Sequence, residues 1–352
     1  MVEPPVITGW SAVSPFGVGR AAFAEGVRCG RGEDAVVDVG HLPVPQRRAC
    51  LVPDFDPGEL LDGKGIRYLD RASLLALVSV GELVGPGAGR DSRTGVVLGT
   101  TSGSVQSEMN IRRDSLTRPK PYAVSSQRTP SATMNCAAAQ CAMRYGLTGP
   151  NMTVAGGRAA ALHALVHACR LLATRRADRV LVGAVEEFSV ARSWLVHHGG
   201  GRKPWLGEGS AVFRVEPPAE GRPPLAEILA AQTRVRLDED PGAALAGCVR
   251  ALLARGGITE GEVWAVVLAG GDPERQAMAE LCGDVALSRV PGLTPFGDTG
   301  AASAAFGIAS ALSVGGDRPA ATARPVVIAV SEPDGAVATA LLRLPPWPVP
   351  GA

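Results

Sequence analysis

The stretch most able to carry chemistry is Gly149–Arg170, which reads GPNMTVAGGRAAALHALVHACR. It passes from an extended apolar segment through Gly156 and Gly157 into an alanine-rich helix, which predicts a strand-turn-helix elbow. Such a turn presents one side chain above the N–H groups at the helix start, where an anion or a reacting oxygen is stabilised. The side chain at this tip is Arg158, and a guanidinium stays protonated at physiological pH. The sequence therefore predicts a catalytic frame without a nucleophile.

Composition and charge exclude several other classes of function. The 352 residues carry a formal net charge of +1 without a run of basic residues, which argues against a nucleic-acid partner. The longest apolar stretches are interrupted by Arg, His or Gly, and the first ten residues lack a secretory signal pattern. We therefore expect no membrane segment and a cytoplasmic protein. The seven cysteines form no CxxC pair and no metal-ligand spacing. No glycine-rich loop carries the Lys of a phosphate-binding motif, so we expect neither a metal nor a cofactor.

Short apolar segments alternate with helical patterns, which favours an α/β fold with a mostly parallel sheet covered on both faces. A Pro/Gly-rich segment at Glu216–Pro224 predicts a division into residues 1–217 and 218–352. The predicted strands are Pro5–Thr8, Thr94–Leu98, Met152–Ala155, Arg179–Val182, Ala211–Val215, Trp264–Ala269, Val326–Val330 and Ala338–Leu344. The predicted helices are Arg71–Leu83, Ala159–Ala173, Gly242–Ala254, Pro273–Leu281 and Thr299–Leu312.

Five segments, in this order along the chain, resemble motifs of the β-ketoacyl synthase family of the thiolase fold. They are ITGWSAVSPFGVGRAAFAEGVRCG at 7–30, TPSATMNCAAAQCAMRYGLTGPNMTV at 129–154, RADRVLVGAVEE at 176–187, LGEGSAVFRVE at 206–216 and TGAASAAFGIASAL at 299–312. The resemblance spans nearly the whole chain. It implies an α/β, thiolase-like fold in which two pseudo-duplicated halves form a layered α-β-α-β-α core.

The family forms a carbon–carbon bond with one Cys and two His, and the resemblance assigns each position in this chain. Arg158 takes the Cys position, because ALHA at 161–164 matches the Gly-Leu-x-Ala that begins three residues after that Cys. Gly270 takes the first His position, in WAVVLAGGD at 264–272, and Gly297 the second, in PFGDTGAA at 295–302. The family's Gly-Phe-Gly-Gly gating loop is replaced by SEPDG at 331–335. The resemblance thus implies a chain that is not an enzyme on its own.

A family scaffold without these groups resembles the chain-length factor, or ketosynthase β-subunit, of type II polyketide synthases. Reducing, polyene-type systems are the more similar subclass, because Arg158 stands where Gln is often found and the second half is short. The resemblance implies a heterodimer with an active ketosynthase α-subunit, an acyl carrier protein as a further partner, and a tunnel for the acyl or polyketide chain.

Three side chains are candidates for the wall of that tunnel or for the subunit interface. The resemblance places residues 104–113 along the dimer interface, with a second contribution from residues 131–137. The candidates there are Met109, Ile111 and Met134. Ordinary packing at a homodimer interface is the alternative interpretation.

Arg158 also needs an anionic partner, because a cation at a helix N-terminus is unfavourable by ~0.3–1 kcal/mol. Glu186 and Glu187, at the end of the next predicted strand, are candidate partners, and such a pair would plug the former pocket. Binding of a carboxylate or phosphate group of a ligand is the alternative.

Two other functions stay open at the level of sequence. One is an enzyme of another class on the thiolase fold, with Arg158, Glu186, Asp298 or His198 serving hydrolysis or acyl transfer. The other is a scaffold that binds a carrier protein or acyl chains without shaping a product.

Overall fold

The computed structural model describes residues 3–30, 35–63, 65–85, 87, 89–199, 205–221, 223–236, 240–269, 272–316 and 321–346. The strands in these ranges are β1 Val6–Ser14, β2 Gly17–Val18, β3 Val36–Asp38, β4 Arg48–Cys50, β5 Thr94–Thr100, β6 Asn151–Ala155, β7 Arg179–Glu186, β8 Leu206–Gly207, β9 Gly209–Glu216, β10 Ala226–Val235, β11 Ala265–Leu268, β12 Arg324–Ser331 and β13 Ala336–Leu344. The helices are α1 Gly19–Cys29, α2 Pro57–Leu60, α3 Arg71–Val84, α4 Val105–Thr117, α5 Cys136–Tyr145, α6 Ala160–Ala173, α7 Val190–His198, α8 Pro241–Gly256, α9 Asp272–Cys282, α10 Asp284–Ser288 and α11 Ala302–Gly316.

The main sheet is mixed. Its strand order is β11-β12-β13-β10-β1-β9-β7-β5-β6, with β2 paired to β1, and a small second sheet has the order β3-β4-β8. Parallel pairs lie only towards the ends of the main order, at β11–β12 and β7–β5–β6, whereas the strands between them pair antiparallel. The expectation of a mostly parallel sheet is therefore wrong. Part of the reason is that β12 and β13 are joined only by residues 332–335, and so short a connection forms an antiparallel hairpin.

A central layer of helices separates the two halves of that sheet. α6 packs against β5 and β7 of one half and against β10 and β13 of the other, and α11 packs against β7, β9, β11 and β12. α3 and α5 cover the outer side of the first half, while α8, α9 and α10 cover that of the second. This is the layered α-β-α-β-α core that the resemblance implies.

The sequence of α11 explains its central position. It has no charged residue, and it is buried from Ala302 to Gly315, as expected for a helix that is apolar all round. Small residues let the strands approach closely, since a Cβ atom on Gly307 would lie 3.1 Å from Cγ1 of Val267. Neither α11 nor any other helix in the described ranges is both long enough and apolar enough to cross a membrane.

Strand β10 was not predicted from the sequence. Its residues read AEILAAQTRV, and Ala, Glu, Leu and Gln favour helices over strands. In the structure, buried Ala226, Ile228, Ala230 and Gln232 alternate with half-buried neighbours, as in a strand with one face on the core. Pairing with β1 on one side and β13 on the other overrides the local preference.

Candidate functional site

The candidate site lies at the sheet edge where the parallel strands β5, β6 and β7 end. In the strand register Thr100 pairs with Ala155, and Gly99 pairs with Ala184, two residues before Glu186. Loops that follow the carboxyl ends of parallel strands converge, and ligand sites of α/β sheets lie there. The segments before α11 and after β12 reach the same place, because Asp298 and Glu332 both contact the elbow.

The elbow forms as predicted. β6 ends at Ala155, a 3₁₀ turn covers Gly157–Ala159, and α6 begins at Ala160. Arg158 lies in that turn with 35% of its side chain exposed, so the guanidinium is partly withdrawn from water. The side chain presented at this turn is a fixed cation.

Arg158 pairs with Asp298, whose Oδ2 lies 3.4 Å from Nη2 of the arginine. Over the ranges that the structure describes, neither Glu186 nor Glu187 forms an ion pair with Arg158, and that predicted pairing is wrong. The physical reason is that both carboxylates are buried, at 1% and 2% exposure, and have other partners.

Glu186 is held on the inner side of the site. Its carboxylate accepts the N–H of Ala301 at 3.0 Å and the hydroxyl of Thr101, and its Oε1 lies 3.7 Å from Nε of Arg192. It therefore joins the end of β7 to the start of α11.

Glu187 points towards the start of α4. It accepts the Ser104 hydroxyl at 3.2 Å and the N–H of Gln106 at 3.3 Å. Burial, together with the nearby charge of Asp70, raises the pKa of Glu187 to about 7. This carboxyl group therefore titrates near neutral pH.

Arg192 is the central cation of the site, and it was not predicted from the sequence. It is 7% exposed, and its guanidinium donates to the carbonyl oxygens of Glu187, Gly207 and Asp298 at 3.0, 2.8 and 2.8 Å. These carbonyls come from three separate segments. No local pattern in VARSWLVHH identifies a buried arginine, because its acceptors are distant in sequence.

Asp298 is fixed by its backbone as well as by its side chain. Its N–H donates to the carbonyl of Trp205 at 2.7 Å, and its Oδ1 accepts the N–H of Gly300 at 3.0 Å. Burial alone would raise the pKa of Asp298, but the guanidinium groups of Arg158 and Arg192 outweigh it and lower that pKa. Asp298 is therefore the ionised partner of Arg158.

Gly297, the second predicted His position, has no room for a side chain. Its φ of +69° lies in the left-handed region, and a Cβ atom would lie 2.8 Å from the Trp205 carbonyl oxygen and 3.1 Å from Sγ of Cys50. The preceding Phe296 stacks on Phe23, with ring centroids 5.3 Å apart. A His at this position therefore requires the backbone to move.

A further carboxylate comes from the turn between β12 and β13, which is the SEPDG segment. Oε1 of Glu332 accepts the N–H of Ala159 at 3.2 Å. Burial raises the pKa of Glu332, and Arg158 and the backbone N–H groups offset only part of that effect. From the sequence, this segment was identified only as a departure from the family's gating loop. The available signal was an acidic residue at a position where the family has a glycine-rich turn.

Glu208, in the Gly-Glu-Gly turn, anchors the neighbouring loops. It is fully buried and receives two hydrogen bonds from Arg71, at 2.5 and 2.6 Å. It also accepts the N–H groups of Val52 and Phe188, at 3.0 and 3.3 Å. A buried carboxylate with a bidentate arginine and two backbone donors has its hydrogen-bonding capacity largely filled.

Two further predicted site residues are Gly270 and His198. Gly270, the first predicted His position, falls outside the residues that the structure describes. His198 stacks on Trp194 at the end of α7, with ring centroids 5.5 Å apart. Within the described ranges no three His, Cys, Asp or Glu side chains are grouped closely enough to hold a metal.

The tunnel candidates lie on α4 and just before α5. Met109 and Met134 are 45% and 52% exposed, while Ile111 is half-buried and lines a surface pocket of about 590 Å³. The pocket is otherwise mostly polar, with walls that include Arg67, Asp70, Asn110, Arg113 and Arg128. Whether these three residues shape a tunnel remains a prediction.

A family model described as β-ketoacyl synthase, N-terminal domain, matches residues 3–198, more than half of the chain. The chain therefore belongs to the β-ketoacyl synthase family. A solved structure described as the ishigamide ketosynthase/chain length factor is similar to it, with a TM-score of 0.91 and 44% identity over 97% of this chain and 99% of that chain. The predicted family and fold class are thus confirmed.

Curated relatives are more distant. A 3-oxoacyl-(acyl-carrier-protein) synthase 2 from Coxiella burnetii is 29% identical over 60% of this chain and 57% of the relative. A putative polyketide beta-ketoacyl synthase 2 from Streptomyces halstedii is 29% identical over 53% of this chain and 46% of the relative. The chain thus spans about half the length of the curated relatives it matches.

Proposed function

We propose that this chain is a noncatalytic, chain-length-factor-like subunit in type II polyketide biosynthesis. It pairs with an active ketosynthase α-subunit and helps shape the tunnel that holds the growing chain. The observation that carries the proposal is the elbow, where a guanidinium paired with Asp298 stands in the place of a nucleophile. The similar structure described as a ketosynthase/chain length factor supports the same role.

The chemistry of the elbow argues against condensation by this chain alone. Acyl transfer to a side chain needs a group that can lose a proton and attack, and the Arg158 guanidinium does neither. Proton transfer and stabilisation of a developing oxyanion need donors aimed at the reacting carbonyl. Gly297 supplies no side chain, and its surroundings leave no space for one.

The two edges of the main sheet support pairing with another subunit. β11, at one edge, is almost fully buried and is contacted by α9 and α10. β6, at the other edge, has exposed or half-buried residues along its whole length. An exposed strand edge offers unpaired backbone groups to a second chain.

A set of large exposed apolar side chains lies on α4, on α5 and in the segment between them. We call it the α4–α5 surface; every member is at least 45% exposed, and it comprises Met109, Leu116, Tyr122, Met134 and Met143. α5 itself packs against β6. Exposed apolar groups beside an open edge are typical of a protein interface.

The finer parts of the proposal rest on the family resemblance. The partner's active site supplies the thiolate, an acyl carrier protein delivers the acyl groups, and the acyl chain extends towards Met109, Ile111 and Met134. The proposed compartment is the cytoplasm.

Coexpression with an active, Cys-containing ketosynthase tests the pairing. We expect the two chains to coelute as a heterodimer in size-exclusion chromatography, and the isolated chain to show no turnover of acyl thioesters. Turnover by the isolated chain would instead support an enzyme of another class. Binding of carrier protein without a stable heterodimer would support the scaffold function.

Product length tests the tunnel. In the reconstituted pair, Met109→Ala and Met134→Ala should lengthen or broaden the products, and Met109→Trp and Met134→Trp should shorten them, by steric closure. Val285, 61% exposed on α10 beside the opposite edge of the sheet, provides Ala and Trp controls that should leave product length unchanged. Unchanged products in all four Met variants would remove the tunnel assignment.

A further inference from the structure

We propose that the Glu332 carboxylate occupies the elbow. It lies at the start of α6, where the oxygen of a bound acyl group would otherwise be held. The chain thereby closes its own former active site. This inference does not depend on pairing with a ketosynthase, and it is tested on the isolated chain.

The start of α6 has no cap from its own sequence. Neither Gly156, before the 3₁₀ turn, nor Ala159, before α6, contributes a side-chain acceptor. The first N–H groups of a helix need acceptors and favour anions. Glu332, 173 residues further along the chain, accepts the N–H of Ala159 at 3.2 Å, and the backbone N–H of Arg158 also interacts with its carboxylate.

The shape of the turn fits this occupant closely. Gly157 has a φ of +51°, and a Cβ atom built on it would lie 2.6 Å from Oε1 of Glu332. A side chain at residue 157 would therefore both strain the backbone and displace the carboxylate. The glycine is needed where Glu332 approaches, so the elbow and the β12–β13 turn fit as a pair.

The charges around the elbow are also matched within the chain. Arg158 lies 3.4 Å from Asp298, and its charge also interacts with Glu332. One guanidinium thus faces two carboxylates, which leaves little attraction for an external anion. Because burial raises the pKa of Glu332, a neutral amide with the same carbonyl oxygen should be tolerated in its place.

This contact has a consequence for the reaction as well as for the fold. In acyl-transfer enzymes, backbone N–H groups after the nucleophile bind the developing oxyanion. A substrate oxygen and the Glu332 carboxylate cannot both occupy the N–H of Ala159. Arg158→Cys alone therefore leaves the elbow closed to a thioester.

The experiment compares thermal unfolding of the isolated wild-type chain with Glu332→Ala, Glu332→Gln and the control Glu59→Ala, which alters an exposed glutamate in the first turn of α2. Glu332→Ala leaves the Ala159 N–H without its acceptor, and we expect its Tm to fall by roughly 2–5 °C. Glu332→Gln keeps an acceptor oxygen and Glu59→Ala touches no such contact, so both should stay within about 1 °C of wild type.

Chemical rescue then tests whether the vacated place takes a carboxylate. In about 0.1 M sodium acetate, Glu332→Ala should regain most of its lost Tm relative to sodium chloride of equal concentration and pH. Wild type, Glu332→Gln and Glu59→Ala should show no difference between the two salts. Equal stabilisation of all four by acetate, or a wild-type Tm for Glu332→Ala, would overturn the proposal.

Hydrogen exchange at residue resolution provides a test that does not require Glu332→Ala to fold. The amides of Arg158 and Ala159 should be protected in the wild-type chain and in Glu332→Gln, although N–H groups at a helix start normally lack acceptors. Exchange at the rate of unprotected amides in both proteins would contradict an occupied elbow.

Discussion

The elbow region and the α4–α5 surface differ in whether their side chains find partners within the chain. Around the elbow, charged groups have partners within the chain, as in the pairs of Arg158 with Asp298 and of Glu208 with Arg71. Arg192, almost fully buried, donates to three backbone carbonyls. These charged groups therefore need no ligand to supply their partners.

The α4–α5 surface is the opposite case, because its large apolar groups lie in solvent. Leu116 on α4 is 85% exposed and Met143 on α5 is 67% exposed. The free energy falls when another surface covers such groups and removes them from water. The difference shows that charged groups around the elbow are paired within the chain, whereas large apolar groups of the α4–α5 surface lie in solvent.

The largest effect on stability is expected when the buried charge of Glu208 is removed from the elbow region. Glu208→Ala removes the acceptor of two Arg71 hydrogen bonds and of two backbone N–H groups. Leaving these donors unpaired should lower the free energy of unfolding by about 3–5 kcal/mol, measured by chemical denaturation of the isolated chain.

An exposed ion pair provides the control for that substitution. Arg93 and Asp178 lie 2.7 Å apart, and both side chains are about half exposed or more. Asp178→Ala should leave the denaturation midpoint unchanged, because solvent-exposed pairs contribute little. Equal midpoints for Glu208→Ala and Asp178→Ala would show that the elbow region is not stabilised by its internal partners.

The surface side of the comparison predicts a smaller effect on a different quantity. Leu116→Arg should leave the free energy of unfolding of the isolated chain unchanged, because the side chain is already 85% exposed. It should raise the dissociation constant of the complex with the ketosynthase by about tenfold, because it buries a charge in an apolar interface. Val285→Arg, at a 61% exposed position on α10 beside the opposite edge of the sheet, is the control and should bind as wild type. Identical binding of both variants would place the interface elsewhere.

The same contrast marks how far the sequence predicts the structure. Local patterns predicted the elbow and the apolar strands, because the signal for each lies within a few adjacent residues. They missed β10, whose helix-favouring residues form a strand only between β1 and β13. They also favoured a parallel sheet, because strand direction in the middle of the sheet depends on pairing between distant segments.

The candidate site divides in the same way. That Arg158 cannot be a nucleophile follows from its chemistry alone. Its pairing with Asp298, and the contact of Glu332 with Ala159, join residues 140 and 173 positions apart, so sequence spacing gave no reason to prefer them to Glu186 or Glu187. The full burial of these two glutamates is equally a property of the packed chain.

The smallest expected effect concerns Glu187, which lies between the two regions because it contacts the start of α4. Burial raises its pKa from 4.5 to about 7, so the folded state favours the protonated form. Its contribution to stability is therefore complete below the unfolded pKa and is lost as pH rises through about 7.

Between about pH 6 and pH 8 the loss should be about 1 kcal/mol, measured by chemical denaturation at both values. Glu187→Gln should remove this difference, whereas Glu108→Gln, on the exposed side of α4, should keep it. Because other groups titrate in the same range, the comparison that decides is between variants, in how much the free energy of unfolding changes from pH 6 to pH 8. An equal change in wild type and Glu187→Gln would mean that the Glu187 carboxyl group is ionised in the folded chain throughout this range.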